Sequence, residues 1–156
     1  MNILTQISTH LLDVIEGENW TDVNIMDSLK DVTVQEATLK TKASPNTIAA
    51  LVNHLIYWNR VMIQRINGIR VTIPDVNGFD VPGLTSEQDW TNLKKELVAS
   101  AYELAEAIKK VNESRLPEPI VADHSSTYRN LQGTVEHLHY HLGQIVILKK
   151  LIKAGN

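Results

Sequence analysis

The residues best suited to chemistry in this chain are its six histidines: His10, His54, His124, His137, His139 and His141. Three fall in the run Glu136-His137-Leu138-His139-Tyr140-His141-Leu142-Gly143-Gln144. On a helix, positions four apart sit about 40° apart around the axis and one turn along. His137 and His141 therefore stack on one face, with imidazoles close enough to share one metal ion. His139 lies about 200° from His137 and points elsewhere. Gln144, three past His141, returns to the His137/His141 face.

Two imidazoles are rarely enough for tight binding, and a catalytic zinc-type site commonly uses three protein ligands with a further position left open. The third ligand should come from a neighbouring helix. His54 is the best placed, mid-helix among Leu51, Val52, Leu55 and Trp58, where a buried polar ring needs a partner. The spacing leaves a second reading open. A pair four apart also arises by chance among six histidines, and buried histidines are more often satisfied by a carbonyl or carboxylate than by a metal. One chemistry is disfavoured. In H-E-x-x-H metalloproteases a glutamate follows the first histidine as general base. Here that position is Leu138, and Glu136 is rotated about 100° off the metal face. A bound metal would then act as a Lewis acid or as activator of a bound nucleophile.

Four amphipathic segments are available to position these residues. The first runs over about 2–15, with Ile3, Ile7 and Leu11 on one stripe and Gly17 as its stop. The second runs over about 45–67, with Ser44 as cap and Pro45 at the first helical position. The third covers about 86–112, capped by Thr85 or Ser86, with Gln88 completing a capping box from Thr85. The fourth covers about 131–153, with Asn130 as cap. Between the first two, Thr33-Val34-Gln35-Glu36 is a further capping-box pattern, and short helical turns are expected near 24–29 and 34–39. The 68–84 connection holds Gly68, Pro74, Gly78, Pro82 and Gly83 and reads as a loop with a short extended piece at 69–73. A second irregular connection, 113–129, holds Pro117 and Pro119. The expected class is all-α: a four-helix bundle with two long connections, in one domain over 1–156.

Bulk properties narrow the partners. The 156 residues suit one domain with a sizeable core, and 43% hydrophobic with 21% charged residues is ordinary for a soluble protein. A formal net charge of -3 gives no basic excess for nucleic acid. Lys149, Lys150 and Lys153 read as cations at a helix C-terminus. The absence of cysteine excludes disulfides, thiolate ligands and a cysteine nucleophile, and fits a cytoplasmic setting. No secretory signal or membrane span is expected.

His137-x-x-x-His141-x-Gly143-Gln144, with His54 mid-way along an earlier helix, resembles the DinB/YfiT-like superfamily. Trp20, the Thr33–Glu36 stretch, Asn53-His54 leading to Trp58, and Asp89-Trp90 fall in the same order, so the likeness spans nearly the whole chain. It implies an up-down-down-up bundle, often a homodimer, and one divalent metal, zinc or nickel, held by His54, His137 and His141. It also implies that Gly143 permits close helix approach and that Gln144 lies near the metal. Some members of the superfamily are thiol transferases that use the metal to activate a low-molecular-weight thiol such as bacillithiol or mycothiol. Others are metal-dependent hydrolases.

The resemblance thus points to a thiol-dependent S-transferase acting on a small electrophile. A hydrolase, or a non-enzymatic metal-stabilised protein that binds small ligands, are the alternatives. Trp58 can wall a pocket or serve the core. Asp75 and Asp80 could approach the metal from the loop, although loop carboxylates are usually only solvated. Tyr140 is expected between helices, His124 in solvent, His10 at a surface or interface, and His139 in helix packing or at a dimer face.

Overall fold

Capping side chains start each helix, and apolar residues at three- and four-residue spacing hold it against its neighbours. In the computed structural model, residues 2–81 and 83–155 are described; the loop signal Pro82 and the two chain ends lie outside them. Among the described residues the chain is all-helical, with no strand. The helices are α1 (Ile3–Glu16), α2 (Ile25–Leu29), α3 (Val34–Thr38), α4 (Ile48–Ile66), α5 (Glu87–Lys109) and α6 (Thr127–Lys153), with a 3-10 turn at Glu113–Arg115. The extended piece expected at 69–73 does not form a strand.

The capping box at α3 forms as its sequence spells it, with Thr33 and Glu36 satisfying each other's backbone N–H groups. Two other starts, and the box partner at α5, differ from expectation. Thr47, not Ser44, caps α4 by accepting from the Ala50 N–H at 3.1 Å. Ser44 instead accepts from Asn46 N–H, so Ser44-Pro45 turns the chain just ahead of the helix. At α5 the box pairs Ser86 with Asp89 rather than Thr85 with Gln88, since the Asp89 carboxylate takes both the Thr85 and Ser86 N–H groups. Ser126 caps α6, and Asn130 lies inside the first turns, donating back to the Ser125 and Ser126 carbonyls. That early start was hidden because residues 127–130 carry no apolar stripe.

The four long helices pack as a bundle in which α1 and α4 each contact both α5 and α6. Leu11, Leu55, Leu97, Leu104, Leu131 and Leu138 meet in one core, all essentially inaccessible to solvent. Polar bonds cross it at chosen levels: Ser8 Oγ donates to the Ala105 carbonyl and Asn59 Nδ2 to Ser100 Oγ, each at 3.0 Å. Trp90 is fully buried, and its indole N–H donates to the Val32 carbonyl at 2.8 Å, which fixes the α2–α3 connection over the end of the bundle. Trp20, by contrast, is 97% exposed.

Lys150 and Lys153 lie in the last turn of α6, as expected of helix-end cations, while Lys149 and Lys153 also reach the α2–α3 region. Lys149 donates to the Ser28 carbonyl at 2.9 Å and pairs with Asp31. Lys153 reaches the Asp31 carbonyl at 2.9 Å and Glu36 at 3.1 Å. No helix of the described residues is long and apolar enough to cross a membrane.

Candidate metal centre

His54 sits in the middle of α4, and His137 and His141 sit one turn apart on α6, which packs against it. One ligand atom from each falls within 4.8 Å of the others. The Nε2 atoms converge: His54 to His137 at 3.0 Å and His141 to His137 at 2.9 Å. His54 and His141 are buried and His137 is half-buried.

The opposite nitrogens of two rings are already committed. His54 Nδ1 lies 2.6 Å from the Asn77 carbonyl, and His141 Nδ1 lies 2.7 Å from the Gln144 side-chain oxygen. Both partners are acceptors, so each Nδ1 carries the proton and each Nε2 turns a lone pair inward. His137 Nε2 faces both lone pairs. A neutral His137 has one ring proton, which can satisfy one neighbour fully and leaves the other contact lone pair against lone pair. Burial opposes supplying the missing charge as a second proton. It lowers the His137 pKa to about 3, helped by the nearby His141 and His54. It lowers the His54 pKa to about 4 against the opposing pull of the Asn77 carbonyl. The His141 pKa is also lowered by burial, partly offset by its bond to Gln144. Three neutral rings with inward lone pairs are the donor set a divalent cation requires, and the residues present fit one.

The loop after α4 completes the centre. Phe79 stacks on the His54 ring at 4.0 Å, only 7° from parallel. Asn77 stands at φ 49°, and its side-chain oxygen accepts from the Trp58 indole N–H at 3.1 Å while its carbonyl holds His54. Gly78 follows at φ 76°, against Tyr57 so closely that an added Cβ would fall 2.6 Å from that ring. Asn53 Nδ2 ties the Gly78 carbonyl back to α4 at 3.0 Å. Asn77 and Phe79 were not singled out from sequence. The dipeptide Asn77-Gly78, a turn signal that tolerates positive φ, was the available clue.

Other expected residues are distributed as follows. Gln144 does reach the centre, through His141. Trp58 edges both His137 and His54, at 5.9 and 6.3 Å between ring centroids. Asp75 and Asp80 are exposed and stand outside the histidine group, the loop contributing a backbone carbonyl instead. His139 turns to the other side of α6 and meets His10 edge-on at 5.5 Å. His124 bonds the nearby Ala122 carbonyl. Tyr140 is 64% exposed rather than packed between helices, since its position on α6 falls on the outer side. Gly143 is also exposed, and among the described residues a Cβ there would meet nothing within 4 Å, so no close helix approach is made at it.

A cleft of about 390 Å3 opens beside His54 and His137. Trp58, Met62, Arg65, Arg129, Thr134 and Glu136 are among its walls. The centre is therefore reachable by a small molecule along one side. The family model for the DinB superfamily matches residues 19–145, a span that includes all three histidines and the loop that holds His54. No curated protein and no solved structure matches. On the extent of that family match, the chain belongs to the DinB superfamily.

Proposed function

We propose that His54, His137 and His141 bind one divalent metal ion, zinc or nickel, in a metal-dependent enzyme that joins a low-molecular-weight thiol to a small electrophile. The observation that carries this reading is the shared Nε2 face of three neutral imidazoles, short of protons and open on a cleft. A divalent cation there favours the deprotonated form of an incoming thiol, so no protein base is needed. The chain's own residues supply the rest. The Asn77 carbonyl and Gln144 hold two rings in the tautomer that presents Nε2. Phe79 covers one face of His54 and excludes water from it. Trp58 offers an apolar wall for the substrate.

One observation favours a hydrolase as the second reading: Glu136, beside His137 in sequence, is among the residues that line the same cleft. The test separates the two. Protein purified without a polyhistidine tag should contain about one divalent ion per chain by elemental analysis. Single alanine variants of His54, His137 and His141 should each lose most of it. Turnover of a chromogenic electrophile should then require added thiol. Turnover without thiol that is abolished by Glu136→Gln would establish the hydrolase instead. A metal-free wild type that cannot be reconstituted would remove both.

We further read residues 1–156 as one domain with up-down-down-up topology. In support, mid-α4 meets mid-α5 at Asn59–Ser100, and Ile66 and Val111 near their ends line one cleft, so the two run the same way. His54 meets His137 while Arg65 shares a cleft with Arg129, so α4 and α6 run oppositely. A homodimer through the outer face of α6 is supported by exposed Tyr140 and Ile147, which flank the open Gly143. Sedimentation should give twice the chain mass, and Ile147→Asp should return it to one.

A further inference from the structure

The cleft beside the histidines has a second chemical end. Arg65 lies three turns beyond His54 on α4, and Arg129 lies eight residues before His137 on the facing α6. Arg65 is half-buried, and its Nε is sealed from solvent with no hydrogen-bond partner. No carboxylate pairs with its guanidinium among the described residues, and the Trp58 ring lies beneath it, 5.3 Å from the guanidinium carbon. That contact uses the flat face of the group and leaves its in-plane N–H donors unspent. A cation held in partial burial with free donors is costly unless something completes it.

The geometry points to a carboxylate-bearing small molecule as the ligand of this cleft, with Arg65 as its anchor and its reacting end toward the histidines. The planar fork of a guanidinium matches a carboxylate in a bidentate pair. Trp58 is the common wall. It lies 5.3 Å from the Arg65 guanidinium and 5.9 Å from the His137 ring, which bounds the span between cation and cluster at roughly 11 Å. A short-chain acid fits within that bound. Arg129 adds a second cation at the same end, and Met62 and Trp58 supply apolar contact for the chain. As a statement about substrate, this rests on the reading of the histidines as a metal centre. As a statement about binding, it can be tested without metal.

The test titrates the full chain, metal-free, with glutarate, its neutral analogue glutaramide, and inorganic phosphate, followed by two-dimensional NMR. Glutarate should move the Trp58 indole N–H and bind at least tenfold more tightly than glutaramide or phosphate. Arg65→Gln should weaken glutarate at least tenfold. Arg70→Gln, an exposed arginine paired with Asp123 and outside the cleft, should leave it unchanged. Should Arg65→Gln fail to fold, the glutarate-to-glutaramide ratio of the native chain and at least threefold weakening by Arg129→Gln decide the matter. Glutarate binding no tighter than glutaramide, phosphate binding as tight as glutarate, or an Arg65→Gln protein that binds like the native one would each overturn the proposal. Elemental analysis keeps the two readings apart: loss of the metal centre leaves glutarate binding intact, and loss of glutarate binding leaves metal content intact.

Discussion

Each imidazole of the cluster is aimed by the atom behind it. Gln144 holds His141 in the tautomer that turns Nε2 inward. Gln144→Leu keeps the size and removes that acceptor, so metal affinity should fall about 10–100-fold with little change in fold, a loss that competition against a chelating dye would measure. Unchanged affinity would mean that the ring is oriented by packing alone. Gln144, His137 and His141 were legible in sequence because helical spacing alone puts them on one face. Asn77, Phe79 and the Arg65–Trp58 contact were not. They depend on how a loop of no regular period folds back onto α4, and on which way a long side chain turns, neither of which a linear pattern encodes.

At the scale of elements, the loop between α4 and α5 is as much a part of the centre as the helices are. Its closest approach is at Gly78, whose φ of 76° and contact with Tyr57 leave no room for a side chain. Gly78→Ala should cost about 1–3 kcal/mol and, by displacing the Asn77 carbonyl from His54, weaken metal binding too. Thermal unfolding and the dye competition would report both effects. A variant that melts lower yet binds metal normally would show that the loop adapts. The four long segments and the α3 capping box were readable from apolar period and cap chemistry. The start of α5 at Ser86 was readable too, whereas Thr47 was missed because several capping residues lie close together ahead of α4 and tertiary packing chooses among them, and Ser126 because no apolar stripe follows it.

At the scale of the whole molecule, the buried histidines link stability to pH. In the metal-free protein burial holds His54 near 4 and His137 near 3, against an ordinary value of 6.5. Between those values the unfolded chain binds protons that the folded chain does not. Stability is therefore fully present above about pH 6.5 and declines as pH falls through that window. Melting temperatures recorded in chelator from pH 7.5 to 5 should drop steadily, and His137→Gln should flatten the slope. A slope the variant leaves unchanged would assign the pH dependence to other groups.

His54 and His137 are 83 residues apart in sequence. An ion held between them would act as a removable cross-link closing most of the central chain into a ring, the kind of constraint whose entropic effect grows with loop length. Such a link forms only after distant segments have met, so it would slow unfolding far more than it speeds folding. The lifetime of the native state, rather than the rate at which it is reached, would then follow the supply of metal.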